Sequence, residues 1–174
     1  MMDLATHQRI LLGLVKSTYR VRADDDPYVH RVAASRDLAE ARRNIFLWRI
    51  WVLQRSCVLT FALLKQRRRL EEAVSQFIAR YNISPFRETQ GPAFLEGLHM
   101  HDDRLIASVA QFELALMKVQ HGDTRSFVVD WPCDPHPVLN ALANDLPLGE
   151  EPAPDAYRIQ ISQELPYRFE IHRL

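Results

Sequence analysis

The first residues of this sequence that could do chemistry stand together between positions 99 and 103. This run, His99-Met100-His101-Asp102-Asp103, holds four side chains of metal-ligating types. A His-x-His pair alone is a weak metal signal, because a stable site needs further ligands in a fixed geometry. The two aspartates also stand where a helix needs an N-cap, so we interpret Asp102 or Asp103 as a capping residue. We expect no metal and no cofactor on this chain.

A second pair with reactive side chains is Cys133 and His136, three positions apart in a proline-rich turn. A nucleophilic cysteine needs a base within hydrogen-bond reach and a group that orients that base. The sequence shows no such third group, and it contains neither a phosphate-cradling glycine loop nor a nucleophile-elbow motif. We therefore predict that the chain has no catalytic residues of its own. The alternative is a small enzyme that uses Cys133 and His136.

The third candidate is a basic run from Lys65 to Arg69, which could contact phosphates. Glu71 and Glu72 follow at once and no aromatic residues are interleaved, which favours an exposed helix end whose cations meet the helix dipole. The whole sequence has 22 basic and 22 acidic residues, whereas a general nucleic-acid binder is basic. A DNA-binding or regulatory adaptor remains the alternative function. Further arginines that precede the run are Arg42, Arg43, Arg49 and Arg55.

The elements that must position these residues are mostly helical as far as position 121. Apolar residues recur at helical spacing, and the basic run is the expected bend between two long helices. Ser35 is the expected N-cap of the first of these, and Gly122 ends the last helix. The predicted elements are helices over 4–19, 37–64, 67–81 and 104–120, a helical turn over 93–98 and a loop over 82–92.

After Gly122 the spacing of apolar residues changes from helical to alternating. Alternation predicts a strand over 126–131 and a hairpin of strands 157–162 and 167–173, joined by a four-residue loop. Pro137 is expected to begin a short helix over 138–144. The sequence thus predicts an α+β fold, with a helical region over 1–121 and a small three-stranded α+β module over 122–174.

Composition and charge indicate a cytoplasmic globular protein. Hydrophobic residues make up 47% and charged residues 25%, and two cysteines are too few for a disulfide framework. The N-terminal residues lack the pattern of a signal peptide. The most apolar stretch, Ile45 to Leu64, contains Arg49 and Arg55, which are costly inside a bilayer, so we predict a buried helix there.

Several short motifs in the last 70 residues resemble a known protein family. They are Phe112-Glu113-Leu114-Ala115-Leu116, Val129-Asp130-Trp131, Asp134-Pro135-His136-Pro137-Val138-Leu139, Tyr157-Arg158-Ile159-Gln160-Ile161-Ser162 and Leu165-Pro166-Tyr167-Arg168-Phe169. This stretch resembles the partner subunits of multinuclear iron oxygenases in ribosomal-peptide (RiPP) biosynthesis. The similarity is greater to the partner of the 3-thiaglutamate pathway and more distant to that of the methanobactin pathway.

The resemblance implies a winged-helix-like peptide-recognition module without catalytic or metal-binding residues. The iron and the oxidative chemistry would belong to an iron-dependent oxygenase subunit, with which this chain would form a heterodimer. The leader of a precursor peptide would add as a strand to one edge of the small sheet, and the edge strand would be 126–131 or 167–173. The residues expected to contact the peptide are Phe127, Val129, Trp131, Arg168, Phe169, Glu170, Ile171 and His172.

Overall fold

The computed structural model describes residues 3–80, 87–149 and 154–174. Helices dominate the N-terminal part and a small antiparallel sheet follows, so the predicted α+β class is confirmed. The elements are α1 Leu4–Val15, α2 Pro27–Ala33, α3 Arg36–Ser56, α4 Val58–Gln66, α5 Leu70–Arg80, α6 Arg87–Gly97, α7 Arg104–Gln120, β1 Phe127–Cys133, α8 Pro135–Ala143, β2 Pro154–Ile161 and β3 Phe169–Arg173.

The chain divides into two compact units. The first comprises residues 1–51 and 74–82, and the second comprises residues 52–73 and 83–174. The predicted division between residues 121 and 122 therefore falls inside the second unit. The reason is that α7 packs against β1 and β2, so the sheet shares one core with the helix that precedes it.

In the first unit, α1 and α2 enclose a small apolar core. Ile10 and Leu14 of α1 pack against Val29 of α2 and against Leu38. The short helix α2 was not predicted, because the acidic, proline-containing stretch before it resembles a loop. Asp26 instead caps α2 by accepting a hydrogen bond from the Tyr28 N–H, and Pro27 occupies the first helical position, where its missing N–H costs nothing.

The end of α1 is held by contacts that are distant in sequence. The Arg42 guanidinium donates two hydrogen bonds, of 2.8 and 2.5 Å, to the Leu14 carbonyl, which also accepts a 3.1 Å bond from the Ser17 N–H just after the helix. A Cβ on Gly13 would stand 2.7 Å from the Tyr19 Cβ, so this close turn requires glycine.

The long helix predicted over 37–64 is wrong, because the chain breaks it at Cys57. There α3 ends and α4 begins, and the Cys57 backbone leaves the helical region with φ −125° and ψ 59°. The new N-terminus is capped from another element. The Glu113 carboxylate of α7 accepts hydrogen bonds of 2.9 Å from the N–H groups of Leu59 and Thr60.

The bend predicted in the basic run is confirmed. Helix α4 ends at Gln66 and α5 begins at Leu70. Between them Arg68 adopts a left-handed conformation with φ 56°, which separates the two helices. Tyr81, which the prediction placed in the second helix, lies outside the described residues.

The loop predicted over 82–92 is wrong from residue 87 onward, because α6 begins at Arg87 and runs through Pro92. Positions 82–86 lie outside the described residues. The Gly91 backbone packs closely against the break between α3 and α4, since a Cβ on Gly91 would stand 3.1 Å from the Ser56 Cβ. The adjacent helix α7 matches its predicted bounds, with Asp103 as N-cap and Gly122 at φ 96° after its end.

The three predicted strands form one antiparallel sheet in the order β1-β2-β3. Val129 lies opposite Ile159, which lies opposite Ile171 on the third strand. The predicted hairpin of β2 and β3 is confirmed, but its loop runs from 162 to 168 and includes Arg168 at φ 64°. The predicted short helix after β1 begins three residues earlier than expected, at Pro135, where Asp134 is the N-cap.

Helix α7 supplies the core beneath this sheet. The Phe112 ring lies edge-on to Trp131 of β1 at 5.8 Å and edge-on to Phe169 of β3 at 5.2 Å, measured between ring centres. Ile159 and Ile161 of the central strand are fully buried. One helix thus supports all three strands from a single face, and the opposite face of the sheet is polar.

Within the described residues, no single helix has the length and apolar character needed to cross a membrane. The bent pair formed by α3 and α4 passes that test when its two members are taken together.

Candidate functional site

Within the run from His99 to Asp103, Asp103 and His101 have structural roles. Asp103 accepts hydrogen bonds from the N–H groups of Leu105 and Ile106 and so caps α7. The His101 ring nitrogen Nδ1 lies 3.0 Å from the Asp103 N–H. In the described part of the chain, no three His, Cys, Asp or Glu side chains are grouped as metal ligands would be.

The two members of the Cys133 and His136 pair differ in accessibility. Cys133 is buried, with 4% of its surface exposed, whereas His136 is exposed in the first turn of α8. Cys133 lines a cavity of about 530 Å³ together with Arg67, Arg104 and Pro132. Cys57 is fully buried too, and burial raises the pKa of its thiol far above the ordinary value. Neither thiol is placed as an exposed nucleophile would be.

The basic run is engaged with carboxylates that precede α7. The Arg67 guanidinium lies 3.6 Å from Asp103, and Arg69 lies 3.5 Å from Asp102 and 3.0 Å from Glu72. The arginines earlier in the chain have other contacts, since Arg42 holds the end of α1 and Arg49 lies 6.0 Å from the centre of the Phe77 ring. These contacts agree with the interpretation of the run as a helix end rather than as a phosphate-binding patch.

The outer edge of β3 presents unpaired backbone groups. Ser162 N–H donates to the Arg168 carbonyl and Leu174 N–H donates to the Ala156 carbonyl, so the even-numbered residues of β2 bond to β3. By the register of the two strands, Glu170 and His172 face β2, and the N–H and C=O groups of Phe169, Ile171 and Arg173 face outward. Among the described residues, no backbone group or side chain bonds to these outward groups.

The outer edge of β1 is partly closed by the protein itself. The odd-numbered residues of β2 face β1, so the backbone groups of Val128 and Asp130 point away from the sheet. The Asp130 carbonyl accepts a 2.9 Å hydrogen bond from the buried Ser108 hydroxyl of α7. Val128 lies beyond this bond, and the described residues supply no partner for its N–H and C=O.

The structure separates the residues expected to contact a peptide into two groups. Val129 and Trp131 are core residues, with 3% and 2% of their surface exposed, and their backbone groups pair with β2, so neither can bond to an added strand. Half-buried positions are Phe127, Phe169 and Ile171, and exposed positions are Arg168, Glu170 and His172. The residues grouped along an open edge are those of β3.

The face of the sheet opposite α7 is polar. Arg158 donates a 2.9 Å hydrogen bond to the Asp130 carboxylate directly across from it, and both side chains are largely exposed. His172 lies 3.7 Å from Glu170 on the third strand. This face therefore presents alternating charges in solvent, together with the exposed side chain of Val128.

A cleft of about 360 Å³ lies where α6, α7 and the edge of β1 meet. Sequence analysis did not identify it, since its walls come from three elements and no motif connects them. Its apolar lining comprises Leu95, Leu114, Ala115, Phe127, Val128 and Val129, and its polar lining comprises Glu96, His99, Gln111 and Lys118.

Two cations stand near the Phe127 end of this cleft. The Lys118 ammonium lies 5.9 Å from the centre of the Phe127 ring, and the Arg125 guanidinium lies 5.5 Å from it. Hydrogen bonds from Arg125 lower the pKa of Asp123 to about 2, which keeps that carboxylate ionised beside Arg125. Asp123 thus compensates the Arg125 charge and also interacts electrostatically with Lys118, which lines the cleft.

No family model, curated protein or solved structure matches this chain.

Proposed function

We propose that this chain is a non-catalytic peptide-recognition subunit of a heteromeric, iron-dependent oxygenase in RiPP biosynthesis. It binds the leader of a ribosomal precursor peptide and presents that peptide to the oxygenase subunit, which holds the iron and oxidatively modifies a cysteine of the peptide. The proposal combines the motif resemblance in residues 105–174 with the geometry of the sheet. It assigns the complex to the cytoplasm, where both cysteines of this chain would stay reduced.

The observation that carries the proposal is the open outer edge of β3. Phe169, Ile171 and Arg173 present three successive outward pairs of N–H and C=O groups, which an added strand would satisfy. An incoming peptide would meet the half-buried Phe169 and Ile171 on the α7 side and the exposed Glu170 and His172 on the polar side. Backbone bonds would supply affinity, and these side chains would supply sequence preference.

The placement of the reactive side chains supports a division of labour between two subunits. Cys133 is buried, and the carboxylates before α7 are engaged in capping and in ion pairs. Oxidation of the peptide would therefore rely on groups of the oxygenase.

The experiment first tests whether an iron oxygenase and a short precursor peptide are encoded beside the gene of this chain, and then co-expresses the three. We expect the two proteins to co-purify, and calorimetry to show leader binding by this chain. Two leader peptides N-methylated at alternating amides test the mode of binding. One set of methyl groups blocks the bonds to β3 and abolishes binding, and the other set points away and leaves binding intact.

The substitution Ile171→Pro is the matched test on the protein side. It removes an N–H that points away from β2, so the ladder within the sheet is retained. We expect leader affinity to fall at least tenfold while the melting temperature changes little. The proposal would be contradicted if this chain failed to co-purify with any iron enzyme. It would also be contradicted if both N-methylated leader peptides still bound to this chain. Salt-dependent binding of duplex DNA without any peptide binding would instead support an adaptor function.

A further inference from the structure

The cleft between α6, α7 and β1 combines an unpaired strand position with enclosing walls. Val128 contributes its backbone, because its side chain belongs to the exposed face of the sheet and its N–H and C=O point outward from β1. An extended segment lying in the cleft would form one hydrogen-bonded pair with Val128, which consists of two N–H···O=C bonds.

The length of this segment is limited by the protein. At the next outward position of β1, the Ser108 hydroxyl already occupies the Asp130 carbonyl. An added strand therefore cannot continue a regular ladder past Val128 in that direction. The cleft volume of about 360 Å³ is near the lower end of the range for ligand pockets, which agrees with a segment of a few residues.

The walls favour an apolar side chain at one position of the segment. Leu95 of α6 and Leu114 and Ala115 of α7 form the apolar part of the helical walls of the cleft. Ala115 is buried and small, so it leaves room where a larger side chain would fill the cleft. An aliphatic side chain inserted there would be removed from water on several sides.

The charge at one end favours an acidic side chain two residues away. Lys118 is three residues beyond Ala115 on α7, a rise of about 5 Å, and alternate residues of a strand are about 7 Å apart. Alternate side chains of a strand point to the same face, so a segment that runs along α7 with an apolar side chain near Ala115 would bring its second neighbour to the level of Lys118. A carboxylate at that neighbour would complement the Lys118 ammonium, whereas Glu96 on the α6 wall of the same cleft would repel a carboxylate placed beside it.

We propose that this cleft is a second peptide-binding site, which takes a short extended segment of the pattern apolar-x-acidic. It is separate from the β3 edge and does not require the proposed leader to bind there. Specificity comes from the apolar walls and Lys118, and direction is fixed by the pair of bonds to Val128. A chain with two such sites contacts two segments of a partner, or two partners, at once.

The test is an affinity selection of random heptapeptides on the full-length chain. We expect the enriched peptides to share an apolar residue with Asp or Glu two positions away. Titration of a synthetic enriched peptide should shift the Val128 amide resonance in a ¹⁵N-labelled sample more strongly than the Ile171 amide. Val128→Pro should weaken that peptide at least tenfold, because it deletes the outward N–H and leaves the bonds to β2 in place.

Two further variants make the test specific. Lys118→Glu should change the enriched position from acidic to basic residues, a change that a purely structural role of Lys118 would not produce. Ile171→Pro is the matched control, since it deletes the equivalent outward N–H on the opposite edge, and it should leave binding at the cleft unchanged. Circular dichroism and melting temperature confirm that each variant is folded.

Each outcome separates this inference from the proposed function. Peptides that lose binding with Ile171→Pro but not with Val128→Pro would overturn the cleft site and support the β3 edge. Loss with Val128→Pro alone would support the cleft, whatever the result with the leader peptide. A selection without enrichment would overturn the inference, and so would a concentration-dependent dimer that Val128→Pro dissociates, because it would assign the cleft to a second copy of the chain.

Discussion

The two outer strands of the sheet are both edges, but they offer different surfaces. On β3 three successive residues, Phe169, Ile171 and Arg173, point their backbone groups outward. On β1 the Ser108 hydroxyl of α7 occupies the Asp130 carbonyl, and the unpaired position that remains, Val128, faces a walled cleft. The β3 edge suits a long segment held mainly by backbone bonds. The β1 edge suits a short segment selected by its side chains.

This difference shows that an edge strand is defined by what lies beside it as much as by its own residues. Both strands are short, with seven residues in β1 and five in β3, and both turn alternate side chains toward α7. The contrast arises because α7 packs against β1, and its Ser108 hydroxyl bonds to the β1 backbone. Among the described residues, β3 packs mainly against β2. Four substitutions, in order of decreasing expected effect, test how this contrast is built.

The largest effect is expected from Phe112→Ala, which removes the ring that contacts both outer strands. Trp131 and Phe169 would each lose an edge-on aromatic neighbour, and a cavity would remain. The free energy of unfolding should fall by about 3–5 kcal/mol. Urea denaturation followed by tryptophan fluorescence measures this change. Phe112→Leu should cost clearly less, and a loss below about 1 kcal/mol for the alanine variant would show that Phe112 does not support the two edges.

A pH-dependent effect is expected at Glu113, which anchors α7 to the N-terminus of α4. Burial raises the pKa of Glu113, although backbone hydrogen bonds from Thr60 and Leu59 act in the opposite direction. The ordinary pKa of a glutamate side chain is 4.5, so above that pH the unfolded chain has released the Glu113 proton. The folded state still retains it there, because its pKa is higher. This group therefore lowers stability as pH rises from 4.5 through the raised pKa, by at most about 1.4 kcal/mol per pH unit.

Glu113→Gln removes this titration and is the direct check. Chemical denaturation of the parent and of the variant between pH 4.5 and 8 should give a difference in unfolding free energy that changes with pH in the stated direction. A parallel pH dependence in both proteins would contradict the assignment to Glu113.

A smaller effect is expected from Ser108→Ala, which releases the Asp130 carbonyl. Loss of one buried hydrogen bond should lower the free energy of unfolding by about 1 kcal/mol. The β1 edge should then accept a longer added strand, so peptides selected on this variant should extend past the apolar-x-acidic pattern. Ser126→Ala, at an exposed serine just before β1, is the control and should change stability by less than about 0.5 kcal/mol. Equal losses for the two variants would indicate that the Ser108 bond does not close the edge.

The smallest effect is expected from Arg158→Ala on the polar face. The side chains of Arg158 and Asp130 are both exposed to solvent. The coupling free energy between them should therefore be about 0.5 kcal/mol or less and should weaken with added salt. A double-mutant cycle with Asp130→Ala at low and high salt measures it. A coupling above about 1 kcal/mol would show that this face contributes to holding β1 in place.

The sequence predicted those elements whose signals are local. Asp103 and Gly122 mark the ends of α7 within a few residues, and the alternation after Gly122 predicted the strands and the hairpin. Prolines misled the prediction at α2 and α6. Pro27 fits the first position of a helix, and Pro92 lies within one.

The features that escaped prediction depend on contacts between distant residues. The break at Cys57 is stabilised by Glu113, whose carboxylate lies 54 positions from Leu59 in sequence. Predicting which strands form the two edges would also have required the strand order. Alternation predicts which face each side chain occupies, but it does not predict which strand each backbone bonds to. The cleft has walls from three elements, and no local pattern brings them together.

The close approach of Gly91 to Ser56 has a consequence for what the cleft can admit. Gly91 lies one helical turn before Leu95 in α6. Because Gly91 has no side chain, α6 can pack closely against Ser56 at the end of α3. Alanine at this position would require a displacement of a few tenths of an ångström, and a rigid helix would carry that shift to its far end. We therefore expect Gly91→Ala to change the width of the cleft at Leu95, and with it the size of the side chain accepted there, although Gly91 does not line the cleft.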